Sequence, residues 1–598
     1  MKLSREWEVS DRQYNILVER DVPVTMSDGV DIYVDVFRPD AEEKFPALLS
    51  MSPYSKEAQS ERVWPAAMGK SLILDFPNAI VEAGPTDFFV RRGYVHIIGS
   101  VRGSGKSGGK FDLFSPREIS DNYELVEWAA GQPWCDGNVS MMGISYFAIN
   151  QYLTAALQPP HLKAIAPIHG LTDLYRDATY HGGILNAVFL IVWSTTNLVV
   201  HTEAHLTRKE LGEEGFKKVI ERALQDKDIN VRPGLVEALK NPDKLPSGVI
   251  LDGLFHPTDG PFWRERSVNY DTIRIPTYIA SDYTMLPLHL PGAFRSWENL
   301  KVPPKKMVIG GPWGEADRPF YQFHYEMLRW FDYWLKGMNT GIMEEPPVRI
   351  FVTGANEWKT ANDWPIPGTI WTPFYLHRNG ILCEIEPWPD ESSDSFEDSP
   401  TNRGSLKYYS PPLVEPTEVV GPMASNLFAS CTASDANFFI SLWDVDPEGK
   451  ETLLTRGWLK GSHREVDPKR SKPWQPFHPH TDPQPLTPGE IYEFNIEIIP
   501  TGVLFKAGHR IGLKISGVDD EEPKNTIDLF FTPHLWSQTP KTVTVYHYAD
   551  YPSHLLLPIT KGNIVGTWLS GGNIYLTPEE VKMLEPAFES ARGHRPVT

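Results

Sequence analysis

The sequence predicts an α/β protein: a mostly parallel sheet carrying helices, interrupted by a helical insertion and followed by an antiparallel all-β domain. Three observations predict it. Short apolar β runs alternate with helical text up to about residue 172, a helix-rich and densely charged segment follows to about 265, and after about 370 helices give way to short strands with turn signals. At 598 residues the chain exceeds one hydrophobic core. The expected division is a first part of the α/β core over 1–172, a helical cap over 173–265, a second part of the core over 266–370, and a β-sandwich over 371–598.

In chain order, Val22–Met26 and Val30–Arg38 flank the turn Ser27-Asp28-Gly29 and read as a hairpin. Phe45–Ser50 and Tyr94–Ile98 are short apolar β runs. From Arg117 to Ala130 there is no glycine or proline, and Ile119, Tyr123, Val126 and Ala130 mark a helical apolar face, with Glu118, Asp121 and Glu124 expected to turn away from it. Cys135-Asp136-Gly137-Asn138 reads as a turn before a strand at 139–142, and another buried strand is expected at Ala164–Ile168. The cap is written in Arg208–Glu214, Lys217–Lys227 and Val236–Lys240. Strands return at Pro276–Ala280 and Lys306–Ile309, and an amphipathic helix over 320–337 closes at Gly337. The sandwich is read from Phe428–Ala433, Asn437–Asp444, Ile491–Ile499 and Ile511–Ser516, with Lys472–Pro488 as a long surface loop.

Composition narrows the function classes. A net charge of −20 argues against nucleic acid and anionic membrane as partners. Cys135, Cys383 and Cys431 are widely spaced, which suits neither a disulfide framework nor a zinc site. Met1–Glu8 is charge-rich without an apolar h-region, and Ile184–Trp193 is too short to span a bilayer, so a cytoplasmic, reduced protein is expected.

The chemistry gathers at Gly143-Ile144-Ser145-Tyr146-Phe147. The chain changes there from strand to helix within about three residues, since Ile149, Tyr152, Leu153 and Ala156 fall at helical spacing. A serine on such an elbow projects its hydroxyl where amide N–H groups and a helix N-terminus favour a developing oxyanion. Ser145 is therefore the expected nucleophile, although Phe147 stands where G-x-S-x-G has its second glycine. Two other motifs carry less. Arg102–Lys110 contains G-x-G-x-x-G and Gly-Lys-Ser, but Ser100 stands where a phosphate loop needs glycine, so it reads as a plain loop. His478-Pro479-His480 lacks a third metal ligand at a useful spacing and reads as surface loop.

The run from Glu118 through Trp128, Gln132–Val139 and Gly143-Ile144-Ser145-Tyr146 resembles the cocaine-esterase-like hydrolases, grouped with X-prolyl dipeptidyl-peptidases and α-amino-ester hydrolases. Ser52-Pro53-Tyr54, Arg102–Gly105, Asp173–Arg176, Arg329–Gly337 and Gly508–Ile511 add to the resemblance, which spans roughly 20–530. It implies an α/β-hydrolase core, a helical cap and a C-terminal jelly roll, with homo-oligomerisation through the sandwich. It also implies Ser145 as nucleophile, the Tyr146 amide and the Tyr54 hydroxyl as oxyanion donors, a small-molecule substrate, and neither metal nor dissociable cofactor.

The rest of the triad departs from the family. Thr284, in Ser281-Asp282-Tyr283-Thr284, stands in the acid's slot, and Glu315, after Gly311-Pro312-Trp313-Gly314, stands where the histidine belongs. A serine hydroxyl needs an adjacent base. Three arrangements are open: His289 as base oriented by Glu315, His289 oriented by Asp282, or no triad at all. His324, on the closing helix, has a structural role by default and an active-site role as the alternative. The leading expectation is a serine hydrolase of esters or amides. Non-hydrolytic chemistry in the same pocket (acyl transfer, C–C cleavage or elimination) and an inactive hydrolase fold used for binding are the alternatives.

Overall fold

The computed structural model describes residues 7–562 except 55, 57–78, 81, 197–199, 201–205, 246, 303, 313–322, 391 and 520–533. Its main sheet has ten strands: β1 (Ile16–Thr25), β2 (Asp31–Pro39), β3 (Phe45–Ser52), β4 (Val95–Ser100), β5 (Cys135–Ile144), β6 (Leu162–Ile168), β7 (Thr277–Asp282), β8 (Lys305–Gly310), β9 (Val348–Val352) and β10 (Glu357–Ala361), in spatial order β1-β2-β4-β3-β5-β6-β7-β8-β9-β10. The strands from β4 to β9 pair in parallel, and the hairpin partners at both edges are antiparallel. Seven parallel strands with helices on both faces place the carboxyl ends of β5, β6, β7 and β8 side by side, the edge at which such sheets carry their sites.

The helices follow from capping and apolar spacing. α1 (Thr86–Val90) leads to α2 (Pro116–Ala130), where the Ser115 side chain accepts from the Glu118 N–H and Pro116 fills a first-turn position needing no donor. α3 (Tyr146–Ala156) follows β5 directly. Between β6 and β7 come α4 (Ala187–Thr196), α5 (Leu206–Gln225, kinked at Gly212), α6 (Lys227–Asn230), α7 (Pro233–Lys240), α8 (Val249–Phe255) and α9 (Pro261–Arg264). Leu190, Phe216, Leu235, Leu239 and Ile250 join them to the core. α10 (Leu290–Asn299) follows β7, and α11 (His324–Lys336) ends at a left-handed Gly337 with φ 69°, as its sequence predicts. Among the described residues no helix is long and apolar enough to cross a membrane.

The C-terminal region is a closed circuit of strands, antiparallel except where Ile381–Cys383 pairs in parallel with Ser405–Tyr409. Its longest strand, Thr417–Cys431, pairs with Tyr492–Phe505 on one side and with His554–Lys561 on another, and Phe374, Leu427, Phe438, Ile496 and Leu513 fill its interior. It docks onto the main sheet through backbone bonds, Thr353 N–H to Gly502 O at 2.9 Å and Leu504 N–H to Thr353 O at 2.8 Å. The core cluster of the sheet runs on into it through Val420, Phe439, Trp458 and Ile499.

Three expectations are corrected. Glu118 and Asp121, expected on the outer face of α2, are buried, because Tyr146 and Arg102 pack over their carboxyls and bond them. Cys135–Asn138 is already strand, because Cys135 pairs with Phe45 at the start of β5. His478 and His480 are buried rather than on the surface, each 6% exposed. His478 sets both ring nitrogens against the carbonyls of Glu465 and Asn495, and His480 meets His463 at 3.0 Å. The loop is folded inward by Arg176, whose guanidinium donates to the carbonyls of His478 and Pro479 and pairs with Asp173 and Asp259.

Candidate active site

At the end of β5, Ser145 takes φ 60° and ψ −117°, left-handed backbone that costs a non-glycine residue about 1–3 kcal/mol. What holds it there is close packing. A Cβ on Gly143, itself at φ 132°, would lie 2.5 Å from Phe147 Cβ and 2.9 Å from Glu82 O, so only glycine passes under the turn. Ala148 and Ile149 N–H groups donate to Ser145 O at 2.8 and 2.9 Å, which starts α3 at once. Ser145 is the one residue from Val139 to Ala155 that is not buried. The core closes around one partly exposed serine.

Two oxyanion donors are expected beside it. The Tyr146 amide is at the first turn of α3, and Tyr54 presents its ring edge to Tyr146 with centroids 6.0 Å apart. The Trp193 indole N–H, from α4, donates to the Tyr54 oxygen at 3.0 Å. A phenol that accepts a bond has its own O–H polarised as a donor. The Tyr54 loop is pinned by Lys56, which is 2.7 Å from Asp21 Oδ1 and 2.9 Å from Asp35 Oδ1. With Lys106 and Lys56 beside it, the Asp21 carboxyl is held down at about 2.

The corner expected to supply acid and base is built differently. Asp282, at the end of β7, is fully buried. One carboxylate oxygen accepts from the Thr284 N–H at 2.9 Å and from the Thr284 hydroxyl, so the carboxylate reaches forward from two residues earlier to the position where the acid is expected. Its other oxygen is 3.7 Å from His169 Nε2. His169, directly after β6, is fully buried at φ 53°, and its Nδ1 is 3.0 Å from Ser281 Oγ. His289, 2% exposed, sets its ring 5.9 Å from that of His169. Asp282, His169 and His289 thus form one buried group across two strand ends next to the nucleophile's strand. Backbone bonds join these ends: Ser145 N–H donates to Ile168 O at 3.1 Å and His169 N–H to Ala280 O at 2.7 Å.

Glu315 lies outside the described residues. His324 packs against Phe88 with centroids 5.1 Å apart, beside the cluster of Phe323, Met327 and Phe331. His169 carries no motif in the sequence. The available signal was its place directly after a buried strand, at the sheet edge where ligands bind. A serine–histidine contact is not itself a site: Ser50 Oγ is 3.0 Å from His96 Nε2, but both are fully buried and burial pushes His96 down to about 3. Among the described residues no group of three or more His, Cys, Asp or Glu is placed to hold a metal. A cavity of about 740 Å³ lies between α10, the Asp173–Arg176 turn and the C-terminal region, lined by the paired ions Arg176, Asp259, Arg295 and Glu497, and it does not include Ser145.

Comparison with known proteins agrees with this architecture. A family model of the X-Pro dipeptidyl-peptidase (S15 family) matches residues 28–314, and one of the X-Pro dipeptidyl-peptidase C-terminal non-catalytic domain matches 340–556. The chain is 29% identical over 576 residues to a putative serine esterase of Mycobacterium bovis, covering 83% of this chain and 90% of that one. It is 27% identical over 607 residues to cocaine esterase of a Rhodococcus species, covering 92% of this chain and 99% of that one. A CocE/NonD family hydrolase from Staphylococcus aureus, 27% identical, superposes with a TM-score of 0.76 over 91% of this chain and 94% of its own.

Proposed function

The chain belongs to the X-Pro dipeptidyl-peptidase (S15) family of hydrolases, and from that premise we propose that it cleaves an ester or amide of a small molecule through an acyl-enzyme on Ser145. The observation that carries the reading is the strained elbow, which leaves Ser145 alone accessible in an otherwise buried stretch. Strain of this kind persists where the surrounding packing over-determines it.

In this reading the substrate carbonyl enters with its oxygen between the Tyr146 amide and the Tyr54 hydroxyl. Ser145 Oγ attacks, His289 takes the proton, and the oxyanion is stabilised by donors already in place. Asp282 is the acid. It orients His289 in this reading, its carboxylate held by Thr284 and the His169 ring packed beside both. His289 returns the proton to the leaving alcohol or amine, then activates the water that releases the acid. Glu315 is the rival orienting group for His289, and Glu315→Gln separates the two assignments. We read the closed, mostly antiparallel domain as a jelly roll that buttresses α10, where Arg295 meets Glu497 at 3.2 Å. Relatives are named for ester and Xaa-Pro substrates, which makes these the two substrate classes to screen.

A second reading rests on the altered acid and base slots: the same pocket could serve acyl transfer or elimination, with Ser145 kept for binding. Turnover of p-nitrophenyl acetate in isotopically labelled water distinguishes them. The first reading predicts label in the acetate and no turnover by Ser145→Ala. Unlabelled product, or turnover that survives Ser145→Ala, contradicts it.

A further inference from the structure

Beneath the elbow sits a buried carboxyl that the mechanism above does not use. Glu118, on the first turn of α2, is 2% exposed, and both its carboxyl oxygens are 2.9 Å from the Tyr146 phenolic oxygen. The Tyr146 ring, 1% exposed, stacks on Phe114 at 4.1 Å and lies edge-on to Tyr54. Tyr146 is the residue whose main-chain N–H faces the expected oxyanion. Its side chain therefore anchors the first turn of α3 from below, and Glu118 is that anchor's hydrogen-bonding partner.

We infer that Glu118 is a positioning residue for the oxyanion hole, holding the Tyr146 amide and the Tyr54 ring in register with Ser145 through two hydrogen bonds exchanged with the Tyr146 phenol. The inference rests on the reading of Ser145 and the Tyr146 amide given above.

The pairing is chemically specific. Two oxygens at equal distance from one phenolic oxygen are both satisfied when a bond runs in each direction. The phenol O–H donates to one carboxyl oxygen, and the carboxyl O–H donates back to the phenol. Burial, chiefly, raises the Glu118 carboxyl well above its ordinary value, as it also raises the Tyr146 phenol, so the acid is held in the protonated form that this exchange requires. The Tyr146 phenol, hydrogen-bonded to the carboxyl, opposes the rise, while the two carboxylates nearby act with burial. Asp112, on the loop before α2, and Asp121, one turn along α2, both raise it. Asp112 is paired with Arg266, and Asp121 with Arg102 and Arg117, so those cations are already engaged. The Phe114 N–H opposes the shift by bonding the carboxyl. A carboxylic acid kept neutral can be replaced by an amide of the same shape, which offers one donor and one acceptor in the same places.

The sign of the linked stability follows. An acid whose folded value is raised binds a proton in the native state that the unfolded chain has released. Its contribution is fully present below the ordinary glutamate value of 4.5 and is lost as pH rises towards the raised one. Glu118→Gln removes that slope.

The test uses the full chain, p-nitrophenyl acetate as substrate and phenylboronic acid as probe, which adds to an active serine and places a tetrahedral oxygen in the oxyanion position. Glu118→Ala and Tyr146→Phe are expected to lower kcat about 10- to 100-fold with KM within about twofold, and to weaken boronate binding in parallel. Glu118→Gln recovers most of what Glu118→Ala loses. A merely structural role would change the melting temperature without this split. If Glu118→Ala does not fold, Tyr146→Phe, which removes a single oxygen, decides. Turnover that persists in Ser145→Ala overturns the underlying reading and this inference with it. Turnover that needs Ser145 but is indifferent to Glu118→Ala and Tyr146→Phe, or a Glu118→Gln variant as impaired as Glu118→Ala, overturns this inference alone.

Discussion

The proposed nucleophile corner and the proposed acid–base corner lie on adjacent strand ends of one sheet, yet they are specified in different ways. At the nucleophile, geometry comes from backbone and packing: Gly143 has no room for a Cβ, Ser145 is held at φ 60°, and α3 starts on the next residue. At the acid–base corner, geometry comes from polar side chains whose reach is adjustable. Asp282 meets the Thr284 slot from two residues earlier, and His169 and His289 crowd beside it. A site set by packing tolerates little change of sequence, whereas one set by long polar side chains can be rebuilt with the same atoms supplied from new positions.

That contrast can be broken or sharpened by substitution. Ser145→Ala has the largest expected effect, a loss of kcat of at least about 10⁴-fold in ester hydrolysis. Asp282→Asn comes next, at about 10²-fold or more, read in the same assay. A comparable loss in Glu315→Gln with Asp282→Asn near wild type would move the acid to the later loop. Gly143→Ala tests the packing side: the added methyl costs about 1–3 kcal/mol in denaturant unfolding, with activity lost alongside. Trp193→Phe removes the donor to Tyr54 and should lower kcat only about three- to tenfold. The smallest effect on activity belongs to the enclosed Ser50–His96 pair, where His96→Gln should leave serine labelling intact. It does change acid stability. Because burial holds His96 at about 3, the unfolded chain takes up a proton below its ordinary value of 6.5 that the native state refuses. Stability falls with pH from there at up to about 1.4 kcal/mol per pH unit, and the variant removes that share.

The same contrast explains what the sequence made legible. The elbow, α2 and α11 could be read locally, because a glycine, a cap or an apolar stripe acts within a few residues. The Gly337 terminus of α11 is an example. The pairing of Glu118 with Tyr146 could not, since it joins two helices through the core. His169 reads in sequence as a lone histidine, and only the register of β6 and β7 brings it to Asp282. His478 and His480 were misread because a polar, proline-rich stretch normally stays outside. Here Arg176 binds its carbonyls from another domain and turns it inward. Cys135–Asn138 has turn residues, yet pairing of Cys135 with Phe45 extends the strand through them.

The central claim is that Ser145 is an activated nucleophile whose base has moved to His289. Labelling with a fluorescent fluorophosphonate tests it most directly, comparing wild type with Ser145→Ala, His289→Ala and Asp282→Asn, each shown to be folded. The account predicts labelling of the wild type, none in Ser145→Ala, near-complete loss in His289→Ala, and slowed labelling in Asp282→Asn. A folded wild type that does not label, or a His289→Ala variant that labels at the wild-type rate, would contradict it.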